Sequence, residues 1–117
     1  MMNALRTSTL IAGACLWLAG NVFANVTGSI ISGNGFSAVR VFAANSTANI
    51  DRTAMANNGV ALNVQAGGAT IRSVGNSIYN NTYAFLASGG GIIASDGQNR
   101  TGGNANAPDP NASVTLK

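Results

Sequence analysis

The chemistry open to this chain is bounded by three carboxylates, Asp51, Asp96 and Asp109; there is no Glu and no His. Glycoside hydrolysis in its common form needs two carboxyl groups about 5–10 Å apart. Asp109 sits between Pro108 and Pro110, while Asp51 and Asp96 occupy different offsets in a repeating pattern and are expected on different faces. Calcium takes six to eight oxygen ligands, several of them carboxylates close together, and the sequence holds neither a local acidic cluster nor a repeated Gly-Gly-x-Gly-x-Asp motif. With Cys15 the only thiol, Ser-His-Asp triads and zinc sites have no residues to build them. The sequence therefore predicts no catalytic residue, no metal, no cofactor and no enzyme.

The remaining candidates are side chains that bind. Arg40, Arg52 and Arg72 are isolated cations, expected to face solvent and to discourage edge pairing. Phe36, Phe42, Tyr79 and Tyr83 are candidates for an aromatic strip that stacks sugars, although their spacing names no site. Asn-x-Ser/Thr triplets begin at Asn25, Asn45, Asn80, Asn99 and Asn111, a density expected by chance in a chain so rich in these residues. Gly89-Gly90-Gly91 lacks the spacing and the lysine of a phosphate loop. A net charge of +3 and a pI near 9.8 suggest nucleic acid, but six cations spread over 117 residues form no patch able to follow a phosphate backbone. Charged residues make up only 8% of the chain, so its polarity rests on Asn, Ser, Thr and Gly.

The elements that carry these residues recur. Ser32-Gly33-Asn34-Gly35, Ala56-Asn57-Asn58-Gly59 and Tyr79-Asn80-Asn81-Thr82 place an Asn at intervals of 24 and 23 residues. A short apolar alternation follows each, with Val39, Leu62 and Phe85 spaced by 23 and Val41, Val64 and Ala87 spaced likewise. Ile31, Met55 and Ile78 lie three residues before each marker Asn, and Ile71 to Asn76 returns at 22 as Ile93 to Gln98. Periods in the low twenties in a Gly- and Asn-rich chain predict stacked coils. Alternation predicts strands with Val39 and Val41 inward and with Val60, Leu62 and Val64 sharing a face opposite Ala61, Asn63 and Gln65. Stacked bends bring like side chains within about 4.8 Å, so Asn34, Asn58 and Asn81 are expected to form a hydrogen-bonded ladder in left-handed bends. Gly102-Gly103-Asn104 reads as a degraded copy of that bend, and Ser113 to Lys117 as a capping strand.

Met1 to Ala24 reads as a helical signal peptide, with Arg6, an uncharged run from Leu10 to Ala19, and Val22-Phe23-Ala24 before the cut. The expected organisation is a leader over 1–24, coils over 25–104 and a tail over 105–117. The Asn-Asn-Gly bends, the Gly59-Val60-Ala61-Leu62-Asn63-Val64 strand and the Gly89 to Asn99 segment together resemble right-handed parallel β-helix repeat proteins of bacteria, the pectate-lyase-like architecture. The resemblance implies an all-β solenoid of three to four coils. The leader implies an exported module, secreted, periplasmic or at the cell surface, and the scarcity of acids and absence of His and Glu imply that it is non-catalytic, structural or adhesive. The expected partners are cell-surface polysaccharide or further copies through the coil ends, with no nucleic acid and no membrane after cleavage. Alternatives are a carbohydrate-binding or degraded polysaccharide-lyase-like domain, or a fragment of a longer surface protein.

Overall fold

The computed structural model describes residues 3–7, 16–18, 20 and 22–114. Two strands, β1 (Asn3–Thr7) and β2 (Leu16–Leu18), precede three full coils. The first is β3 (Val22–Thr27), β4 (Ile30–Ser32) and β5 (Ser37–Val41). The second is β6 (Thr47–Asp51), β7 (Ala54–Ala56) and β8 (Val60–Val64), and the third β9 (Thr70–Val74), β10 (Ser77–Tyr79) and β11 (Tyr83–Ala87). A further coil opens with β12 (Ile92–Ser95) and β13 (Arg100–Gly102), and β14 (Ala112–Ser113) follows. Each strand pairs in parallel with its counterparts one coil away. The resulting sheets have the order β1-β3-β6-β9-β12-β14 (first), β4-β7-β10-β13 (second) and β2-β5-β8-β11 (third). This is an all-β parallel solenoid of about four turns, without helix among the described residues.

Register fixes the core. Val39 pairs with Leu62 and Leu62 with Phe85, so the expected column exists and its members are buried. Ile31, Met55 and Ile78 stack in the second sheet, and Ala24, Ala48, Ile71 and Ile93 in the first. Each fully buried Val, Leu or Ile contributes about 1.5–3 kcal/mol over leaving it in water. The third sheet departs from simple alternation. Ala38, Ala61 and Ala84 are fully buried in the core, yet the pairing runs through Ser37–Val60 and Val39–Leu62 and skips them. The strands bend there, and Val60, expected to share the inner face, instead lies half-buried in an outer groove beside Ser37 and Tyr83.

The corners follow one rule. The residue before each ladder Asn is left-handed: Gly33, Asn57, Asn80 and Gly103, with φ of 74°, 58°, 58° and 66°. The marker Asn itself therefore does not take the left-handed turn; its predecessor does, and the marker is free to bond along the stack. Nδ2 of Asn34 donates to Oδ1 of Asn58 at 2.9 Å, Asn58 to Asn81 at 3.0 Å, and Asn81 to Asn104 at 3.0 Å. The backbone N–H of each donates to the same oxygen. The amides also reach back: those of Asn58, Asn81 and Asn104 donate to the carbonyls of Ile31, Met55 and Ile78. Asn104 is thus a full fourth rung, not a degraded one.

A second corner repeats this device. Ser29, Thr53, Asn76 and Asn99 each accept from, or donate to, the residue one coil away through a backbone N–H and a side-chain oxygen. Gly28, Arg52 and Gly75 precede the first three of them with φ of 57°, 48° and 58°. At the third corner Asn45, Gly68 and Gly90 are left-handed.

Two expectations meet the N- and C-terminal segments. Of residues 1–24, the described residues 3–7, 16–18 and 22–24 lie in strands, and β3 runs through Ala24, which is fully buried and paired with Ala48; the greater part of the apolar run expected as a leader helix, Leu10 to Cys15, lies outside the described residues. Cys15 lies outside the described residues. At the other end, Asn106 bridges to Tyr83 in line with the third sheet, and β14 pairs beside β12; Thr115 to Lys117 lie outside the described residues.

Candidate functional site

Two of the three carboxylates are held by nearby groups. Asp51 ends β6 level with Val74, and Asp96, one place past the Ser95–Ser73 pair, is level with Val74 from the other side. The two therefore share an edge of the first sheet, two coils apart, where different faces had been expected. The irregular 22-residue return of the last coil brings this about. Asp96 Oδ1 accepts from the N–H of Gln98 at 2.9 Å and so closes its own turn. Asp51 accepts from Nε of Arg52 at 3.2 Å in a partly solvated pair. Asp109 is exposed. Among the described residues no group of three or more His, Cys, Asp or Glu gathers.

The cations diverge in the same way. Arg52 and Arg72 are exposed, and Arg72 extends an outer ladder by donating to Asn49, which itself donates to Asn25. Arg40 does not face open solvent as expected. Register sets it beside Trp17 on the outer face of the third sheet. Its guanidinium carbon lies 4.9 Å from the Trp17 ring centre and 4.7 Å from that of Phe42, and the two rings meet edge to face at 5.8 Å. Each such contact is worth about 0.5–2 kcal/mol. Nε donates to Oε1 of Gln65 at 2.8 Å. Among the described residues no carboxylate neutralises this charge, and its side-chain hydrogen bond is made by Nε and not by the two Nη groups.

Beside Arg40 runs an outer groove of about 520 Å³, with Phe36 and Tyr83 on its walls and Ser37, Asn63 and Gln65 among its polar lining. A smaller recess of about 240 Å³ continues it from Phe36 to Trp17. Phe36 is 79% exposed and Trp17 51%, unusual for such large rings. Asn63 is only 7% exposed; its amide donates to Ser37 Oγ at 3.1 Å, but Oδ1 is buried with no donor. Turned the other way, the amide would leave its NH₂ end orphaned instead. Of the aromatic strip expected from sequence, Phe36, Phe42 and Tyr83 come to this face, whereas Tyr79 belongs to the second sheet.

Of the five Asn-x-Ser/Thr asparagines, Asn45 and Asn80 are exposed at corners, while Asn25, Asn99 and Asn111 hold the fold through their side chains. Sequence reasoning missed Trp17, Ser37, Asn63 and Gln65. The spacing of 23 from Trp17 to Arg40 was the available signal. Fold and surface together define a parallel β-solenoid with one aromatic, singly cationic outer face. Comparison with protein-family models, curated proteins and solved structures finds no match.

Proposed function

We infer that this chain is an exported, non-catalytic β-solenoid module, structural or adhesive, acting through its outer faces and the ends of its stack. The observation that carries this reading is where the polar side chains go. Two corner columns, one from Asn34 to Asn104 and one from Ser29 to Asn99, commit their hydrogen bonds to holding coil on coil. Such a framework presents surface, and its chemistry is spent on rigidity. Among the described residues the stack ends on strand edges, β1, β4 and β2 at one side and β14, β13 and the part of β11 beyond the Tyr83–Asn106 bridge at the other, which favours end-to-end contact. The pectate-lyase-like resemblance of the bends supports the bacterial, exported part of the reading.

The test joins turnover and retention. The full chain is incubated with insoluble cell-wall polysaccharide, and released reducing or unsaturated ends are followed together with protein depletion from solution. Retention, or concentration-dependent self-association, without sustained product release is expected. Multiple turnovers on any polysaccharide would overturn the reading.

A further inference from the structure

We propose that the outer groove of the third sheet binds a sugar ring carrying a single negative charge, with Arg40 holding the anion and Phe36 and Tyr83 packing against the ring. This deepens, and rests on, the adhesive side of the function inferred above. Two independent features converge. First, Arg40 is pre-organised: clasped by Trp17 and Phe42 and tied through Nε to Gln65, it loses little freedom on binding, and its Nη groups remain to donate. A guanidinium edge so held matches two oxygens of a sulfate ester or carboxylate. Second, aromatic rings line the groove next to that cation, Phe36 exposed at the junction of both recesses and Tyr83 half-buried on the wall.

The charge count selects the ligand class. One unneutralised cation suits a monoanionic ring, and the groove offers no second cation for a dianionic phosphate. The chain's other cations are too scattered to follow a nucleic-acid strand.

The experiment titrates the full 117-residue chain with a dextran oligosaccharide, its sulfate ester and an oligo-uronate of equal length, by calorimetry at two salt concentrations. Binding of the sulfated or the uronate probe, well above the neutral dextran, is expected; which of the two is tighter tells sulfate from carboxylate. Arg40→Gln should weaken it about tenfold or more, since charge-assisted pairs are roughly twice as strong as neutral ones. Phe36→Ala, at a site too exposed to affect folding, should weaken it several-fold. Arg100→Gln, which removes an equal charge from β13 in the second sheet, should leave it unchanged. Failure of all three probes to bind, preference for neutral dextran, or equal losses in Arg40→Gln and Arg100→Gln would each overturn the proposal. Retention on cell-wall material that survives both Arg40→Gln and Phe36→Ala would overturn this groove while leaving the adhesive module standing.

Discussion

Replacing Asn81 by Ala removes the middle of the corner ladder. The Asn81 side chain is 2% exposed and its Oδ1 accepts twice, from the backbone N–H of Asn58 at 2.9 Å and from Asn58 Nδ2 at 3.0 Å. Its Nδ2 hydrogens serve the carbonyls of Met55 and Tyr79 and Oδ1 of Asn104. Asn58 Nδ2 keeps a bond to the Ile31 carbonyl after the change. The Asn58 N–H keeps nothing, and an orphaned buried donor costs about 1–3 kcal/mol. The other lost bonds add about 1 kcal/mol each at the usual net value, for two or so that are made at once. The total is about 3–5 kcal/mol, a large share of the stability of a domain this size. Urea unfolding followed by circular dichroism measures it. Asn81→Asp separates acceptor from donor: it still accepts from Asn58 but faces the Met55 carbonyl and Asn104 Oδ1 with oxygen, so it should also destabilise by more than 1 kcal/mol. Asn106→Ala, at an exposed position, should stay within about 0.5 kcal/mol. An Asn81→Ala cost below about 1 kcal/mol would refute the claim that the ladder holds the coils together.

Other expectations follow from the same geometry. Leu62→Ala empties the middle of the Val39–Leu62–Phe85 column and should cost about 2–5 kcal/mol in the same assay. Arg52, at φ 48°, is the one long side chain in a left-handed column whose neighbours are Gly28 and Gly75. Left-handed residues with a Cβ carry about 1–2 kcal/mol of strain, so Arg52→Gly should stabilise by about 0.5–1 kcal/mol despite losing the exposed pair with Asp51; a lower urea midpoint would contradict this. Gly68→Ala, at φ 80°, should destabilise by about 1 kcal/mol or more, whereas Gly35→Ala, with open space around it, should be near neutral. A chain beginning at Asn25 loses β1, β2 and half of β3, together with buried Leu18 and the Trp17 side of the Arg40 clasp. It should unfold at lower urea and bind more of a hydrophobic dye than the full chain.

The stack was legible because identical residue types mark it. Asn34, Asn58 and Asn81 repeat one side chain at a fixed interval, and Val39, Leu62 and Phe85 repeat one property. The second corner was not legible for the opposite reason. Ser29, Thr53, Asn76 and Asn99 share the spacing of the first ladder, 24 then 23 then 23, but the column mixes three residue types, and its acceptor oxygen is a Thr hydroxyl once and an Asn amide twice. Val60 and Ala61 traded faces because strand alternation assumes an unbent strand, and the third sheet bends between the pairs at 60 and 62. The outer groove was harder still. Trp17 lies in an apolar run that reads as a leader, Arg40 looks like an isolated charge, and only coil stacking joins them. The unmet hydrogen bond of Asn63 depends on rotamers that no spacing encodes.

The most direct test of the coiled register is nuclear Overhauser spectroscopy of methyl- and ring-labelled full-length chain in solution. The account predicts contacts from the Leu62 methyls to both Val39 methyls and the Phe85 ring, 23 residues away in either direction. Contacts confined to near neighbours in sequence, or Leu62 paired with other residues of those strands, would contradict it.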